Sequence, residues 1–357
     1  MKRTALVLSV LAAPVLVAPV LAVTALPAAA QDGVSPPAAA SDASPVLSLP
    51  IECELDRDCW LVRYLDHDPG PGVRDYRGGD LSGDGHSGTD IAVADYARIA
   101  RGVPVLAAAA GVVAGARDGM TDGQLIQGDA AGIRGSECGN GVLLEHADGW
   151  QTQYCHMRRG SVLVQEGQKV DRGDRLGLVG MSGETSYPHL HFSVRRDGRD
   201  VDPFTGIEDG GAPLWAASVG AADVYAPVVV TAAGVAGEKP DWDLVQAGRY
   251  TSGQIPATAE ALVVWLRGYW LEPGDVIRYS VVGSDGTPIF ESVATDEKGN
   301  RDFFRFSGTR PPEGGFEPGS YEARVTIERP AGTVIAERRF GITIAPEAAE
   351  ASEGRRS

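Results

Sequence analysis

Short apolar runs separated by glycine dominate the chain between residues 49 and 206. Runs of this length, bounded by turn-forming residues, are typical of β-strands, and no stretch here shows a convincing amphipathic helical pattern. The predicted strands are Val103–Ala110, Gly111–Ala116, Val142–His146, Gln151–Met157, Val162–Val164 and His189–Arg195. Residues 118–139 are rich in glycine, aspartate and small side chains, which predicts a long surface loop over the sheet. We therefore expect residues 49–206 to form a mainly β domain.

A second set of apolar runs lies between residues 223 and 345. The runs are Val228–Val230, Leu262–Trp265, Val276–Val282, Ile289–Val293, Phe303–Phe306, Tyr321–Ile327 and Val334–Ile344. About seven short strands with turn residues between them predict a β-sandwich. The segment Pro318-Gly319-Ser320-Tyr321 enters a late strand and resembles immunoglobulin-like modules. We expect residues 207–222 to be a linker and residues 346–357 to be a disordered tail.

The N-terminus has the features of a signal peptide over residues 1–30. Lys2 and Arg3 precede an apolar stretch, and small residues at Ala28 and Ala30 favour cleavage after Ala30. The alternative is an uncleaved membrane anchor, since about 20 apolar residues can span a bilayer. We expect export to the periplasm or cell envelope, with membrane contact only if the signal peptide stays uncleaved. Residues 31–48 follow as a flexible lead-in rich in Ala, Ser, Pro and Asp.

The formal net charge of −16 at pH 7 narrows the range of partners. Nucleic-acid binding depends on neutralising phosphates with basic side chains, so an acidic chain of this kind is not expected to bind nucleic acid.

Four cysteines, Cys53, Cys59, Cys138 and Cys155, make an even count in a chain expected to be exported. Such a count predicts two disulfides. Three pairings are open, of which Cys53–Cys59 with Cys138–Cys155 is the most local. Zinc ligation by cysteine is the weaker alternative, because no Cys-x-x-Cys spacing occurs.

Two histidines share one face of a predicted strand. Leu190, Phe192 and Val194 alternate with His189 and His191, so the apolar residues are expected to face the core and the histidines the opposite side. A lone His-x-His pattern also suits an exposed or hydrogen-bonded polar face. The pair therefore indicates a functional site only if other metal-binding or catalytic residues lie beside it.

His86 and Asp90 form a second motif, and Thr89-Asp90-Ile91-Ala92-Val93 has the pattern of a strand. A straight strand would separate His86 from Asp90 by about 13 Å, at ~3.3 Å per residue. The segment must therefore bend for both side chains to reach one metal ion. Gly88 is the residue that we expect to supply the bend.

His156 is the third motif, in a predicted hairpin with Asp148-Gly149 as a two-residue turn. That turn pairs His146 with Gln151, and it puts His156 on the same face as Tyr154. His146 and Cys155 then lie on the other face. If His156 points at a site, His146 does not, so we interpret His146 as structural.

Two histidines and one carboxylate with an open fourth position make a catalytic zinc site, and two further histidines are left for proton transfer. The motifs occur in an order that resembles the lysostaphin-type, or LytM-type, zinc endopeptidases, which cut peptidoglycan cross-links. The resemblance covers residues 80 to 204. It rests further on Gly102-Val103-Pro104-Val105, Ala109-Ala110-Gly111-Val112-Val113, Gly139-Asn140-Gly141-Val142, Val164–Val170, Gly177-Leu178-Val179-Gly180, Pro188–Phe192 and Asp202-Pro203.

The resemblance implies an antiparallel-sheet peptidase domain and a role for each chemical residue. His86, Asp90 and His191 match the zinc ligands of the family, and His156 and His189 match its catalytic histidines that do not bind zinc. The implied function is zinc-dependent hydrolysis of the peptide stems that cross-link peptidoglycan. The alternative is a regulator with little or no catalysis that activates other cell-wall hydrolases. Catalysis is favoured because all five positions are filled.

Two features depart from the usual family pattern. Tyr187 stands before the proline of the histidine-pair motif, where many members have a small residue, and the loop at residues 118–139 is long. We expect both to border the cleft without touching a ligand, so that they affect substrate fit rather than activity. Residues 223–345 contain no histidine. We expect the sandwich to position the enzyme or to bind an envelope protein partner.

Overall fold

A computed structural model describes residues 44–207, 211–220, 224–329 and 332–346 of the chain. The predicted signal peptide, its cleavage site, most of the lead-in and the tail from residue 347 lie outside the described residues. None of the helices in the described ranges is both long enough and apolar enough to pass through a membrane.

The first region is built on an eight-stranded antiparallel sheet. The region has ten strands, which in chain order are β1 (Cys59–Arg63), β2 (Thr89–Val93), β3 (Pro104–Leu106), β4 (Gly111–Arg117), β5 (Asn140–Glu145), β6 (Trp150–Met157), β7 (Lys169–Val170), β8 (Arg175–Leu178), β9 (His189–Arg196) and β10 (Arg199–Asp200). The order across the sheet is β1-β2-β9-β6-β5-β4-β7, with β10 paired to β9, while β3 and β8 form a separate two-stranded sheet. The prediction of a mainly β, antiparallel fold is confirmed.

The period-two pattern of β9 decides which face of the sheet is apolar. Leu190, Phe192 and Val194 are buried in the core of this region, as the alternation predicts. Tyr154 on β6 lies opposite Phe192 and packs on the same side. The other face of β9 is therefore free to carry polar side chains.

Two predictions about which segments form strands or helices in this region are wrong. Val162–Val164 does not form a strand. Its central residue, Leu163, is 66% exposed, and the backbone N–H of Leu163 donates to the carbonyl oxygen of Leu176. A short helix that we did not predict, α1 (Tyr96–Arg101), follows β2. Asp95 caps it by accepting from the backbone N–H of Arg98. The loop at residues 118–139 connects β4 to β5 and contains one helical turn, α2 (Ala130–Ile133).

The β5–β6 hairpin turns through three residues, not the two that we predicted. Ala147–Gly149 form a short 3₁₀ turn in which Asp148 and Gly149 both have positive φ, 56° and 74°. Three-residue hairpin loops commonly end in such a left-handed position. The extra residue shifts the register by one, so that Gln151 pairs with Glu145 and not with His146.

The second region is a sandwich of two sheets. Its strands are β11 (Val229–Ala236), β12 (Gln254–Pro256), β13 (Leu262–Leu271), β14 (Val276–Gly283), β15 (Pro288–Thr295), β16 (Asn300–Thr309), β17 (Gly319–Arg329) and β18 (Thr333–Ala345), with one helix, α3 (Trp242–Gln246). One sheet has the order β11-β13-β16 and the other β12-β18-β17-β14-β15. Apolar side chains from both sheets form one buried cluster. All seven predicted runs fall on these strands, and the immunoglobulin-like character stays a prediction.

The segments that flank the first region are packed against it. Leu47 pairs with Trp215 in a parallel bridge, and both side chains are buried in the first region's core. Residues 44–48 therefore belong to the fold, and not to the flexible lead-in predicted for residues 31–48. Within residues 207–222, the predicted linker, Trp215 is likewise a core residue, and its ring contacts those of Phe192 and Phe204.

The sandwich docks on the first region through the end of β13. The Trp270 indole N–H donates to the Val62 carbonyl oxygen on β1 at 2.6 Å. Tyr269 and Trp270 are both buried in the core cluster of the first region and not in that of the sandwich. The two regions thus share apolar packing and a buried hydrogen bond.

All four cysteines are paired, as Cys53–Cys59 and Cys138–Cys155. This is the most local of the three pairings that the sequence left open. The second bond lies beside the strand β6, which carries His156.

We predict that thiol titration of the unreduced, unfolded protein will find almost no free thiol. Replacing both Cys138 and Cys155 by serine should lower the free energy of unfolding by about 3 kcal/mol, because that bond closes a loop of 17 residues. The Cys53–Cys59 bond, with a separation of 6, should contribute less, about 2 kcal/mol. Four titratable thiols in the untreated protein would contradict the pairing.

Candidate metal centre

The five predicted site residues meet in one cleft on the polar face of the eight-stranded sheet. The cleft has a volume of about 560 Å³. Its lining includes His86, Asp90, His156, His189 and His191. His146, which we interpreted as structural, lies away from the cleft and bonds the Ala110 carbonyl and the Thr152 hydroxyl.

Strand pairing brings Asp90 and His191 together. The two residues are directly opposite each other across β2 and β9. Side chains of opposite residues stand close on the same face of a sheet. Their nearest atoms, Asp90 Oδ1 and His191 Nδ1, are 2.9 Å apart.

His86 joins them from the loop before β2. Its Nε2 lies 3.0 Å from Asp90 Oδ1. Gly88 allows the approach, though for a reason other than the backbone freedom that we expected. A Cβ at residue 88 would lie 2.6 Å from the Phe192 carbonyl oxygen and 2.9 Å from His191 Nε2. The loop passes so close to β9 that no side chain fits.

The second ring nitrogen of each of these histidines has its own partner. His86 Nδ1 donates to the Tyr64 carbonyl oxygen at 2.8 Å, and His191 Nε2 lies 3.0 Å from the Ser193 hydroxyl. These bonds orient the rings and leave His86 Nε2 and His191 Nδ1 facing Asp90. Metal-binding histidines usually have a partner of this kind on the far nitrogen.

The three facing atoms suit zinc. A ligand atom from each of His86, Asp90 and His191 lies within 4.8 Å of the other two. Two imidazole nitrogens and one carboxylate oxygen are the donor set of many catalytic zinc sites. Two nitrogen lone pairs directed at a carboxylate also repel it unless a cation, either a proton or a metal ion, lies between them. The residues present therefore fit zinc.

His156 reaches the cleft by a route that strand alternation does not predict. Its φ is 61°, in the left-handed region, so the strand is irregular at this residue. Tyr154, which we placed on the same face, points into the core, whereas Cys155 lines the cleft. The face assignment was wrong, and His156 turns to the site because its own backbone departs from β geometry.

His156 and His189 are each oriented by a hydrogen bond from Nδ1 to a backbone carbonyl oxygen. His156 Nδ1 donates to the Ser182 carbonyl oxygen at 2.9 Å, and His189 Nδ1 donates to the Tyr187 carbonyl oxygen at 3.0 Å. Each bond leaves the Nε2 atom as the one that can exchange protons in the cleft. The two rings lie 4.7 Å apart, centroid to centroid.

Burial and charge act in opposite directions at Asp90. Burial favours its protonated form, but the charges of His86 and His189 and hydrogen bonds from His189 and His191 hold its pKa well below the usual range. For His156, burial and the neighbouring His189 and His191 lower the pKa well below the usual range. Asp90 is therefore ionised at neutral pH, and His156 is neutral.

Tyr187 contacts a candidate ligand, contrary to our expectation. Its hydroxyl donates to Asp90 Oδ2 at 2.6 Å, and its side chain is buried. The loop at residues 118–139 borders the cleft through Leu125, Glu137 and Cys138. The sequence signal for Tyr187 was its large size at a position where the family pattern has a small residue.

Comparisons with known proteins find sequence similarity to peptidases over the part of the chain that forms the cleft. Residues 84–203 match the sequence model of Peptidase family M23. A 64-residue segment is 42% identical to the peptidoglycan DD-endopeptidase ShyA of Vibrio cholerae, covering 18% of this chain and 14% of that protein. A 118-residue segment is 32% identical to the DD-carboxypeptidase/endopeptidase Mpg of Neisseria meningitidis, covering 33% of this chain and 22% of that protein.

Among solved structures, the catalytic domain of the prophage-encoded M23 protein EnpA from Enterococcus faecalis is 26% identical with a TM-score of 0.28, covering 41% of this chain and 90% of that one. The matched segment spans less than a quarter of the length of either curated relative.

We predict that Gly88→Ala will lower the free energy of unfolding by about 1–3 kcal/mol, because the new methyl group overlaps the Phe192 carbonyl oxygen. Gly83→Ala is the matched control in the same loop, since a Cβ at residue 83 meets nothing within 4 Å. It should change stability by about 0.5 kcal/mol or less. Urea unfolding of the two variants provides the measurement, and equal midpoints would contradict the close approach.

Proposed function

Residues 84–203 form a domain of peptidase family M23, and on this premise we propose that the protein is a zinc-dependent endopeptidase that hydrolyses peptide cross-links of peptidoglycan. The observation that carries the proposal is the convergence of His86, Asp90 and His191 on one point, with His156 and His189 beside them. A purely structural polar face would not need three ligand atoms aimed at one another.

The ligand roles are proposed for His86 Nε2, Asp90 Oδ1 and His191 Nδ1. Zinc, when bound there, supplies a Lewis acid that polarises the scissile carbonyl and makes water a nucleophile near neutral pH. The hydrogen bonds from His86 to Tyr64 and from His191 to Ser193 keep the two rings in the orientation that binding requires.

His156 and His189 are proposed to move the protons. A neutral imidazole can accept a proton from the attacking water and return it to the leaving amine. The low pKa of His156 keeps it in the accepting form at neutral pH. Hydrogen bonds from their Nδ1 atoms to backbone carbonyls fix both rings, so the Nε2 atoms meet the substrate in a set position.

The proposed substrate is the peptide stem of peptidoglycan, and the proposed location is the cell envelope. The names of ShyA and Mpg describe endopeptidases, the former acting on peptidoglycan. Peptide stems would lie in the cleft, whose rim carries both signs of charge, from Arg63 and Arg195 to Glu137 and Glu184. Export to the periplasm or cell envelope, and an envelope protein partner for residues 223–345, complete the proposal.

The metal assignment predicts that the purified protein holds about one zinc ion per chain. His191→Ala should lose most of it, because one of the three ligands is gone. His146→Ala is the control, since His146 also makes two hydrogen bonds but lies outside the cleft. Elemental analysis after gel filtration gives the ratio. A full zinc content in His191→Ala would refute the ligand assignment.

The function itself is tested by digesting purified sacculi and identifying the released muropeptides by mass. The wild-type protein should release peptides cut at one cross-link, and a chelator should stop the release. His156→Ala and His189→Ala should keep their zinc but lose activity by about 10²-fold or more, the usual scale for general acid–base catalysis.

Near-wild-type activity in both variants would remove the catalytic assignment. A zinc-loaded wild-type protein that releases no muropeptide from sacculi or from soluble cross-linked peptides would instead favour the regulator that the sequence left as the alternative.

A further inference from the structure

The two carboxylate oxygens of Asp90 have different partners, because Tyr187 bonds only one of them. Asp90 Oδ1 faces His86 and His191, whereas Asp90 Oδ2 accepts the hydroxyl of Tyr187 at 2.6 Å. A carboxylate with one oxygen held in this way cannot rotate without breaking a buried hydrogen bond. The hydroxyl therefore fixes which oxygen is presented to a metal ion.

The ring and the backbone carbonyl of Tyr187 both contact His189. Its ring stacks on the ring of His189, with centroids 4.1 Å apart and planes 18° from parallel. Its carbonyl oxygen accepts from His189 Nδ1 at 3.0 Å. One residue thus orients both the carboxylate and a neighbouring histidine.

The support for Tyr187 comes from the sandwich. The ring of Tyr269, at the end of β13, lies against Tyr187 with a centroid distance of 5.3 Å. Tyr269 is 1% exposed, and within the described residues its hydroxyl has no hydrogen-bond partner, so it acts through its ring alone. Trp270, the next residue, anchors this contact by its bond to Val62.

We propose that the sandwich is part of the metal centre: Tyr269 holds Tyr187, and Tyr187 positions Asp90 to bind zinc. The inference deepens the proposed function and rests on its zinc site. Tyr187 is then a positioning residue. The large side chain at residue 187 and the tyrosine at residue 269 form a matched pair, because a small residue at 187 would leave Asp90 Oδ2 unbonded and Tyr269 uncovered.

The test compares zinc affinities of full-length variants, by competition with a chromophoric chelator. Tyr187→Phe keeps the ring and removes only the hydroxyl. Its affinity should fall about tenfold or more, the usual scale for a group that orients a ligand. The visible spectrum of the cobalt-substituted protein should change as well, since the ligand geometry alters.

Tyr154→Phe is the matched control. It also removes a buried hydroxyl on the core side of the same sheet, which accepts from the Ala108 backbone N–H at 2.8 Å and bonds the Thr152 hydroxyl at 3.0 Å. It should lower the melting temperature and leave both zinc affinity and the cobalt spectrum unchanged. A loss in Tyr187→Phe no greater than in Tyr154→Phe would overturn the role of the hydroxyl.

Two substitutions at residue 269 test the sandwich. Tyr269→Leu removes the ring and should weaken zinc binding several-fold, whereas Tyr269→Phe keeps the ring and should bind zinc as the wild type does. In the double variant with Tyr187→Phe, the effect of Tyr269→Leu should largely disappear, because both act through one hydroxyl. If Tyr269→Leu does not fold, Trp270→Phe loosens the same contact by removing the hydrogen bond to Val62. Wild-type affinity in the folded variant would overturn the contribution of the sandwich.

The outcomes separate this inference from the proposed function. If wild-type protein binds zinc and Tyr187→Phe weakens it, yet no muropeptide is released, the inference holds and the peptidase proposal fails. If wild-type protein cleaves cross-links and Tyr187→Phe binds zinc within twofold of it, the peptidase proposal holds and this inference fails.

Discussion

The buried carboxylate of Asp90 is the constraint on which the rest of the structure depends. A buried charge is costly unless opposite charge or hydrogen-bond donors surround it. Here His86 and His191 face one oxygen, and Tyr187 bonds the other. Strand β2 pairs with β9, so Asp90 lies opposite His191, and the segments before β2 and β9 bring His86 and Tyr187 to the same carboxylate.

Each supporting feature can be traced to that carboxylate. Gly88 lets the loop carrying His86 pass close to β9. Tyr64 and Ser193 orient the rings that face Asp90. The first region supplies the proposed ligands, and Tyr269 of the second region packs against Tyr187 behind them. The sandwich is therefore more than a neighbour joined by a linker.

Much of this could be predicted from the sequence, because a strand has a period of two. The alternation around His189 and His191 gave both the core face and the site face of β9. The five residues that the motifs singled out do line one cleft, while their roles stay a prediction, and the apolar runs located the sandwich strands. These properties depend on local pattern, which a single chain displays directly.

The remainder depends on contacts between distant segments or on a single irregular residue. The left-handed backbone at His156 carries no sequence signal, since glycine or asparagine is the usual choice there. The sequence did not predict the third residue of the β5–β6 turn, because Asp148-Gly149 also suits a two-residue turn. The hydrogen bond from Tyr187 to Asp90 joins residues 97 positions apart, which no local pattern reveals.

The Cys138–Cys155 bond has a consequence for when the site can be completed. Cys155 lies opposite His191 across β6 and β9, and the carbonyl of Cys138 accepts the backbone N–H of His156. The bond therefore braces the backbone beside one proposed ligand and one proposed proton carrier. Thiols stay reduced in the cytosol and pair in oxidising compartments. The backbone beside the cleft is therefore braced only where the surroundings let these two thiols pair.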